Sequence, residues 1–155
     1  MPKTKLQEYL DSQKVKYILI KHAPVYTAQE IAASAHIPGG RMAKTVMLKV
    51  DGKMVMAVLP APNRVNFERM KELCAAKKIE LASEEEFKSL FPDCEVGAMP
   101  PFGNLYGLEV YAEEDLAEEI EIAFCAGSHG ELIRMSFKDF QKLANPKIDR
   151  FSFKA

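Results

Sequence analysis

Apolar and polar positions along this chain follow two periods, and the switches between them lay out its elements. Leu6, Tyr9 and Leu10 recur at helical spacing and predict a short amphipathic helix from Thr4 to Ser12. The β-branched, apolar run Val15 to Ile20 predicts a strand. Thr27-Ala28-Gln29-Glu30 is a capping box for a helix to about Ala35, stopped by the turn residues Pro38-Gly39-Gly40. Met42 to Val50 and Met54 to Leu59 predict two strands, with the hairpin signal Asp51-Gly52 between them. Pro60-Ala61-Pro62 should end the second strand, because proline lacks the N–H that a central ladder needs.

Asn66 can cap a helix through about Ala76, with Phe67, Met70, Leu73 and Cys74 on one face. Ile79 to Leu81 predicts a short strand, and Ser83-Glu84-Glu85-Glu86 a second capping box for a helix to Leu90. Leu105 to Tyr111, Glu119 to Cys125 and Leu132 to Met135 predict three further strands. Ser136 to Asp139 caps a last helix to about Ala144, ended by Asn145-Pro146. The expected fold is α+β (mixed α/β): a mixed, partly barrel-like sheet of about seven strands with surrounding helices, in a single domain over 1–155.

Composition narrows the function. The 155 residues carry 21 Lys plus Arg against 22 Asp plus Glu, a formal charge of −1. A protein gripping a long stretch of nucleic acid by its phosphates should be more basic, so no DNA partner is expected. No apolar run reaches the length of a membrane span and no signal-peptide core follows Met1, so a cytoplasmic protein without a membrane partner is expected. Cys74, Cys94 and Cys125 are dispersed and odd in number, as are His22, His36 and His129. That is neither a disulfide framework nor a metal-ligand set, so no metal and no cofactor is expected. The carboxylates at Glu84 to Glu86, Glu113 to Asp115 and Glu118 to Glu121 read as caps or solvated faces.

Three features could carry chemistry. Lys44 shares a strand face with Met42, Val46 and Leu48, so it must either snorkel to a rim or meet an anionic ligand; Thr45, Met47 and Lys49 occupy the other face. Gly97-Ala98-Met99-Pro100-Pro101-Phe102-Gly103 lies in an irregular stretch, Phe91 to Asn104. Its prolines fix φ and remove donors while its glycines permit positive φ. The segment is either a rigid connector or a fixed set of backbone dipoles that positions a water or a small ligand. Ala126-Gly127-Ser128-His129-Gly130 offers a histidine between glycines at a strand end, able to act as base, donor or ligand. Ser128 beside it lacks a G-x-S-x-G elbow, and Cys125 reads as a strand-end thiol, so a Ser- or Cys-based hydrolase is the weaker reading.

Taken in order, Ala43-Lys44-Thr45-Val46, Ala57-Val58-Leu59-Pro60-Ala61, the 97–103 run and Ala126-Gly127-Ser128-His129 resemble the YbaK family, from about Leu6 to Phe151. These are the editing domains of prolyl-tRNA synthetases and their freestanding relatives. The resemblance implies a metal-free deacylase acting in trans on mischarged aminoacyl-tRNA. It implies a substrate-assisted ester hydrolysis in which the free ribose hydroxyl and the 97–101 backbone orient the water. It makes Lys44, Gly97, Pro101 and His129 the catalytic candidates, and Thr45, Ala98, Met99, Pro100, Phe102, Gly127 and Ser128 the substrate contacts. His129 stands where several alanine-editing members have a histidine, which favours a small amino acid such as alanine on tRNA-Pro; the Ala-Met-Pro-Pro-Phe run also resembles members that clear serine, threonine or non-protein amino acids. The implied partners are the acceptor end of aminoacyl-tRNA and prolyl-tRNA synthetase. A non-catalytic module that binds a tRNA end or a synthetase is the alternative.

Overall fold

The computed structural model describes residues 5–21, 37–95 and 97–154. The Thr27 capping box with its helix, His22 and His36 lie outside the described residues. Among the described residues the fold is mixed α+β, with ten strands and five α-helices. The helices are α1 (Lys5–Ser12), α2 (Phe67–Leu73), α3 (Glu84–Phe87), α4 (Glu114–Ala117) and α5 (Phe137–Ala144). The strands are β1 (Tyr17–Lys21), β2 (Ala43–Val50), β3 (Lys53–Pro60), β4 (Asn63–Val65), β5 (Ile79–Leu81), β6 (Glu109–Glu113), β7 (Glu121–Cys125), β8 (Glu131–Ser136), β9 (Lys147–Asp149) and β10 (Ser152–Lys154).

The β2–β3 hairpin turns where expected. Asp51 and Gly52 both take positive φ, +50° and +85°, as a two-residue hairpin loop with matched twist requires. Asp51 also accepts the Lys77 and Lys78 amides, at 3.0 and 2.8 Å, which ties the hairpin tip to the start of β5. The hairpin centres a five-stranded mixed sheet, β5-β2-β3-β6-β9, whose β3–β6 and β6–β9 pairs are parallel. A second, antiparallel sheet runs β1-β8-β7, and a ribbon pairs β10 with β4. The mixed α+β fold is as expected; among the described residues its strands divide into three sheets, and no closed barrel forms. A single parallel bridge, Met42 with Ala123, joins β2 to β7.

Both faces of the large sheet are buried. Met47, Met56 and Val58 pack into one cluster with Phe102, Phe124 and Phe140. Leu48, Val55, Ala57 and Leu59 pack into another, with Met70 of α2 and Phe151. This explains why β3 reads as a continuous apolar run: neither face meets water.

Several boundaries differ from expectation. Pro60 closes β3 as its last residue, opposite Ala43. The helix from Asn66 stops at Leu73, because Ala75 turns into positive φ (+51°). Leu105 to Leu108 are not strand: Gly103–Tyr106 is a 3-10 turn closed by Gly107 at φ +75°, and only then does β6 begin. The Ser83 box does form, with Ser83 Oγ accepting from the Glu86 amide and Glu86 reaching back to the Ser83 amide. Glu113 overturns its solvated reading. It is fully buried, and its Oε1 accepts from Phe151 N (3.2 Å), Ser152 N (2.9 Å) and Ser152 Oγ (2.7 Å). A carboxylate in the core is tolerable only with such donors.

Candidate functional site

Two glycine-bearing loops are laced together at the end of β7. Gly97 stands at φ +87° and Gly127 at φ +102°, a region that a side chain enters only with strain. Glu95 N donates to Gly127 O at 2.7 Å, and Gly127 N donates to Ala98 O at 3.0 Å. Ala98 N closes a turn on Glu95 O, and His129 N donates to Glu95 Oε1 at 3.3 Å. A Cβ added to Gly97 would lie 3.4 Å from His129 Cε1, so the bare backbone of Gly97 borders the imidazole. The Gly97 N–H meets the Met99 Sδ at 3.3 Å, a weak acceptor. The donor therefore stays available to a better partner.

The rest of the run anchors this edge. Ala98, Met99, Pro100 and Pro101 are buried. Phe102 is fully buried, with its ring 5.4 Å from Phe140 and 5.7 Å from Phe124, so its side chain is part of the core. Thr45 Oγ1 donates to Met99 O at 3.1 Å and fixes the loop to β2.

Lys44, next along β2, projects from the opposite strand face. It lines an open groove of about 580 Å³ with Arg64, Phe67, Leu81 and Phe153. The Met42–Ala123 bridge is parallel, so Lys44, near the start of β2, and Cys125, the last residue of β7, each lie two residues further along in the same direction. The structure thus gathers Thr45, the 97–102 run, Gly127 and His129 into one cluster and sets Lys44 beside it, in a groove of its own.

Electrostatics sort these groups. Burial, and then the charge of Arg64, hold the Lys44 ammonium below its ordinary pKa. Neither Lys44 nor Arg64 makes an ion pair among the described residues. Burial, aided by the charge of Glu95, pushes the Cys125 thiol up to about 11, so it is protonated at neutral pH and a poor nucleophile. No hydrogen bond joins Ser128 to His129 among the described residues. Both observations weaken the thiol- or serine-hydrolase reading. No group of His, Cys, Asp or Glu that could hold a metal occurs among the described residues, and no described helix is long and apolar enough to cross a membrane.

Glu95 and Arg64 are missing from the sequence-level candidates. Glu95 was legible as one of two acids, with Asp93, within an irregular Gly- and Pro-rich stretch. Arg64 was not, since only the ribbon β4–β10 carries it to Lys44.

A family model described as "Aminoacyl-tRNA editing domain" matches residues 22–143. The proline–tRNA ligase of Bacillus mycoides (strain KBAB4) is 32% identical over 103 residues, which is 66% of this chain and 18% of the ligase. That of Bacillus cytotoxicus is 34% identical over the same length, again 18% of the ligase. The chain therefore matches only a small part of these relatives. Among solved structures, a hypothetical protein superposes with TM-score 0.87 and 21% identity, covering 97% of this chain and all of that one. A candidate trans-editing enzyme for prolyl-tRNA synthetase superposes with TM-score 0.81 and 21% identity, covering 96% of this chain and 94% of that one. At this identity the structural likeness establishes the fold.

Proposed function

The chain belongs to the aminoacyl-tRNA editing domain family, and we propose that it is a deacylase acting in trans, hydrolysing the ester between a small mischarged amino acid, such as alanine, and the terminal adenosine of tRNA-Pro. The observation that carries this reading is the Gly97 edge: a positive-φ glycine with a weakly engaged N–H, laced to the loop that presents His129.

The chemistry asks little of the protein. A water adds to the ester carbonyl, the ribose oxygen leaves as a hydroxyl, and the free amino acid and the RNA are released. An aminoacyl ester is already activated, so positioning supplies much of the rate. In this reading the Gly97 N–H turns from the Met99 sulfur to the carbonyl oxygen as negative charge grows there. The neighbouring ribose hydroxyl orients the water and takes part in passing its proton to the leaving oxygen. The His129 imidazole, bordering Gly97, holds the amino-acid end. Lys44 attracts the phosphate side of the terminal nucleotide, and Pro100 and Pro101 keep the loop from relaxing. Only an RNA end has to be held, which suits a chain of net charge −1.

The test is a panel of tRNAs charged with Ala, Cys, Ser, Thr and Pro, followed for loss of the amino acid. Deacylation of Ala-tRNA-Pro with Pro-tRNA-Pro spared is the expected outcome. If every charged tRNA survives while tRNA still binds, the chain is a binding module of the same fold.

A further inference from the structure

The Lys44 groove is larger than an anchor for one phosphate requires. One wall is the β4–β10 ribbon, where Arg64 and Phe153 are directly opposed cross-strand partners and so stand on the same face. The first residue of α2, Phe67, adds a second ring, and Leu81 at the end of β5 forms the far wall. These three apolar side chains are conspicuously exposed: Phe67 38%, Leu81 62% and Phe153 50%. Exposed aromatics on a short edge ribbon invite misassociation unless they serve a ligand. Two cations without a carboxylate partner share the space, and among the described residues Glu68 is the one acid lining it.

Flat rings beside unpaired cations match a ligand that alternates flat apolar faces with negative charges. That is the chemistry of single-stranded nucleic acid: bases stack on aromatic rings while phosphates meet Lys and Arg. A peptide or lipid surface would satisfy the rings or the charges, but not their alternation. We propose that this groove is the path of the single-stranded RNA that precedes the terminal adenosine, with a base stacked on Phe153 and Phe67 and its phosphate between Arg64 and Lys44. The inference rests on the deacylase reading only for which nucleotide enters the Gly97 edge; the groove's affinity for single-stranded RNA stands independently.

The experiment reads binding apart from chemistry. A fluorescein-labelled, uncharged RNA hairpin with a single-stranded 3′ end is titrated with the wild type, Phe153→Ser and Arg64→Gln, and a blunt hairpin serves as control. Both substitutions fall on exposed side chains, and circular dichroism checks that each variant folds. Phe153→Ser is expected to weaken binding about 5- to 150-fold, the value of one stacked base. Arg64→Gln is expected to lower the slope of log K against log salt by about 0.7, the signature of one single-strand phosphate. The blunt hairpin should bind more weakly to the wild type and respond to neither change. Equal binding by all three proteins, or equal binding of both hairpins, overturns the proposal. So does a dimer, seen in sedimentation, that Phe153→Ser dissolves while RNA binding stays unchanged; the groove is then a face for a second copy. If the wild type deacylates none of the charged tRNAs yet binds the overhang through Phe153 and Arg64, the groove stands and the deacylase reading falls.

Discussion

Gly97→Ala separates a catalytic loop from a connector. At φ +87° an alanine costs about 1–2 kcal/mol relative to glycine. The new Cβ would sit 3.4 Å from His129 Cε1 and 3.8 Å from His129 Nε2, ordinary contact rather than a clash. The fold should therefore survive, with a fall in Tm of about 2–8 °C for a chain of this size. Gly107 provides a matched control: its φ is +75° and a Cβ there meets nothing within 4 Å. Gly107→Ala carries a similar backbone strain outside the two laced loops, so its Tm should drop by a similar amount.

The two variants should part in activity. A Cβ on Gly97 intrudes between the loop backbone and the imidazole, just where the ester carbonyl would approach the amide. Misplacing reacting groups by about 1 Å can cost about a hundredfold, and losing one oxyanion donor about 10²–10³-fold. Single-turnover deacylation of the responsive charged tRNA, at saturating enzyme, isolates the chemical step from binding. Gly97→Ala is expected to slow that step about a hundredfold, with Gly107→Ala near the wild type. Equal single-turnover rates in the two variants, with both folded, would refute the placement of chemistry at this edge.

Lys44→Met should lower deacylation while leaving Tm at neutral pH unchanged or raised. The fold depresses the Lys44 pKa, so the charged lysine costs stability below that folded value, and the cost fades as pH rises toward the unfolded value of about 10.4. Melts at neutral and strongly alkaline pH should therefore show any advantage of Lys44→Met shrinking as pH rises. His129→Ala is expected to lower kcat/KM about tenfold to a hundredfold and to keep the shape of the pH profile; an acid limb that vanishes with the imidazole marks it as a general base instead. Glu113→Leu strands the buried Phe151 amide and the Ser152 donors and should cost about 2–5 kcal/mol by urea denaturation, with Glu113→Gln losing less because one acceptor oxygen remains.

What the sequence made legible was local. Asp51-Gly52, the Ser83 box, the Ser136 cap and Ile79 to Leu81 each carry their instruction within a few residues, and each forms as expected. The short strands β4, β9 and β10 carry no β-branched apolar run to announce them, and the chain is held at the start of β10 by Glu113, which accepts the amides of residues 151 and 152 from 38 and 39 positions away. For the same reason Glu113 passed for a solvated acid: its donors are invisible until the chain folds back. The face of β2 that Lys44 occupies was undecidable from alternation, because both faces of that sheet are buried. The run of glycines and prolines at 97–103 did announce an unusual backbone, since those residues impose φ locally. That it would meet His129 was carried by the family resemblance and not by any spacing.

The near-neutral charge takes on a sharper meaning once the cations are placed. Many of them are matched to acids on the surface: Lys49 with Glu86, Lys53 with Glu109, Arg69 with Asp149, Arg41 with Glu119. Such exposed pairs add little stability, but they cancel the long-range field that would draw nucleic acid to the whole surface. Lys44 and Arg64 are left uncancelled, and their mutual repulsion is a cost that the fold bears at the mouth of one groove. Two cations without an ion-pair partner at the mouth of one groove suit a short, flexible RNA end. A near-neutral charge balance is thus compatible with RNA chemistry at a single point, and Lys44→Met tests the trade directly, since it should remove the repulsion and the activity together.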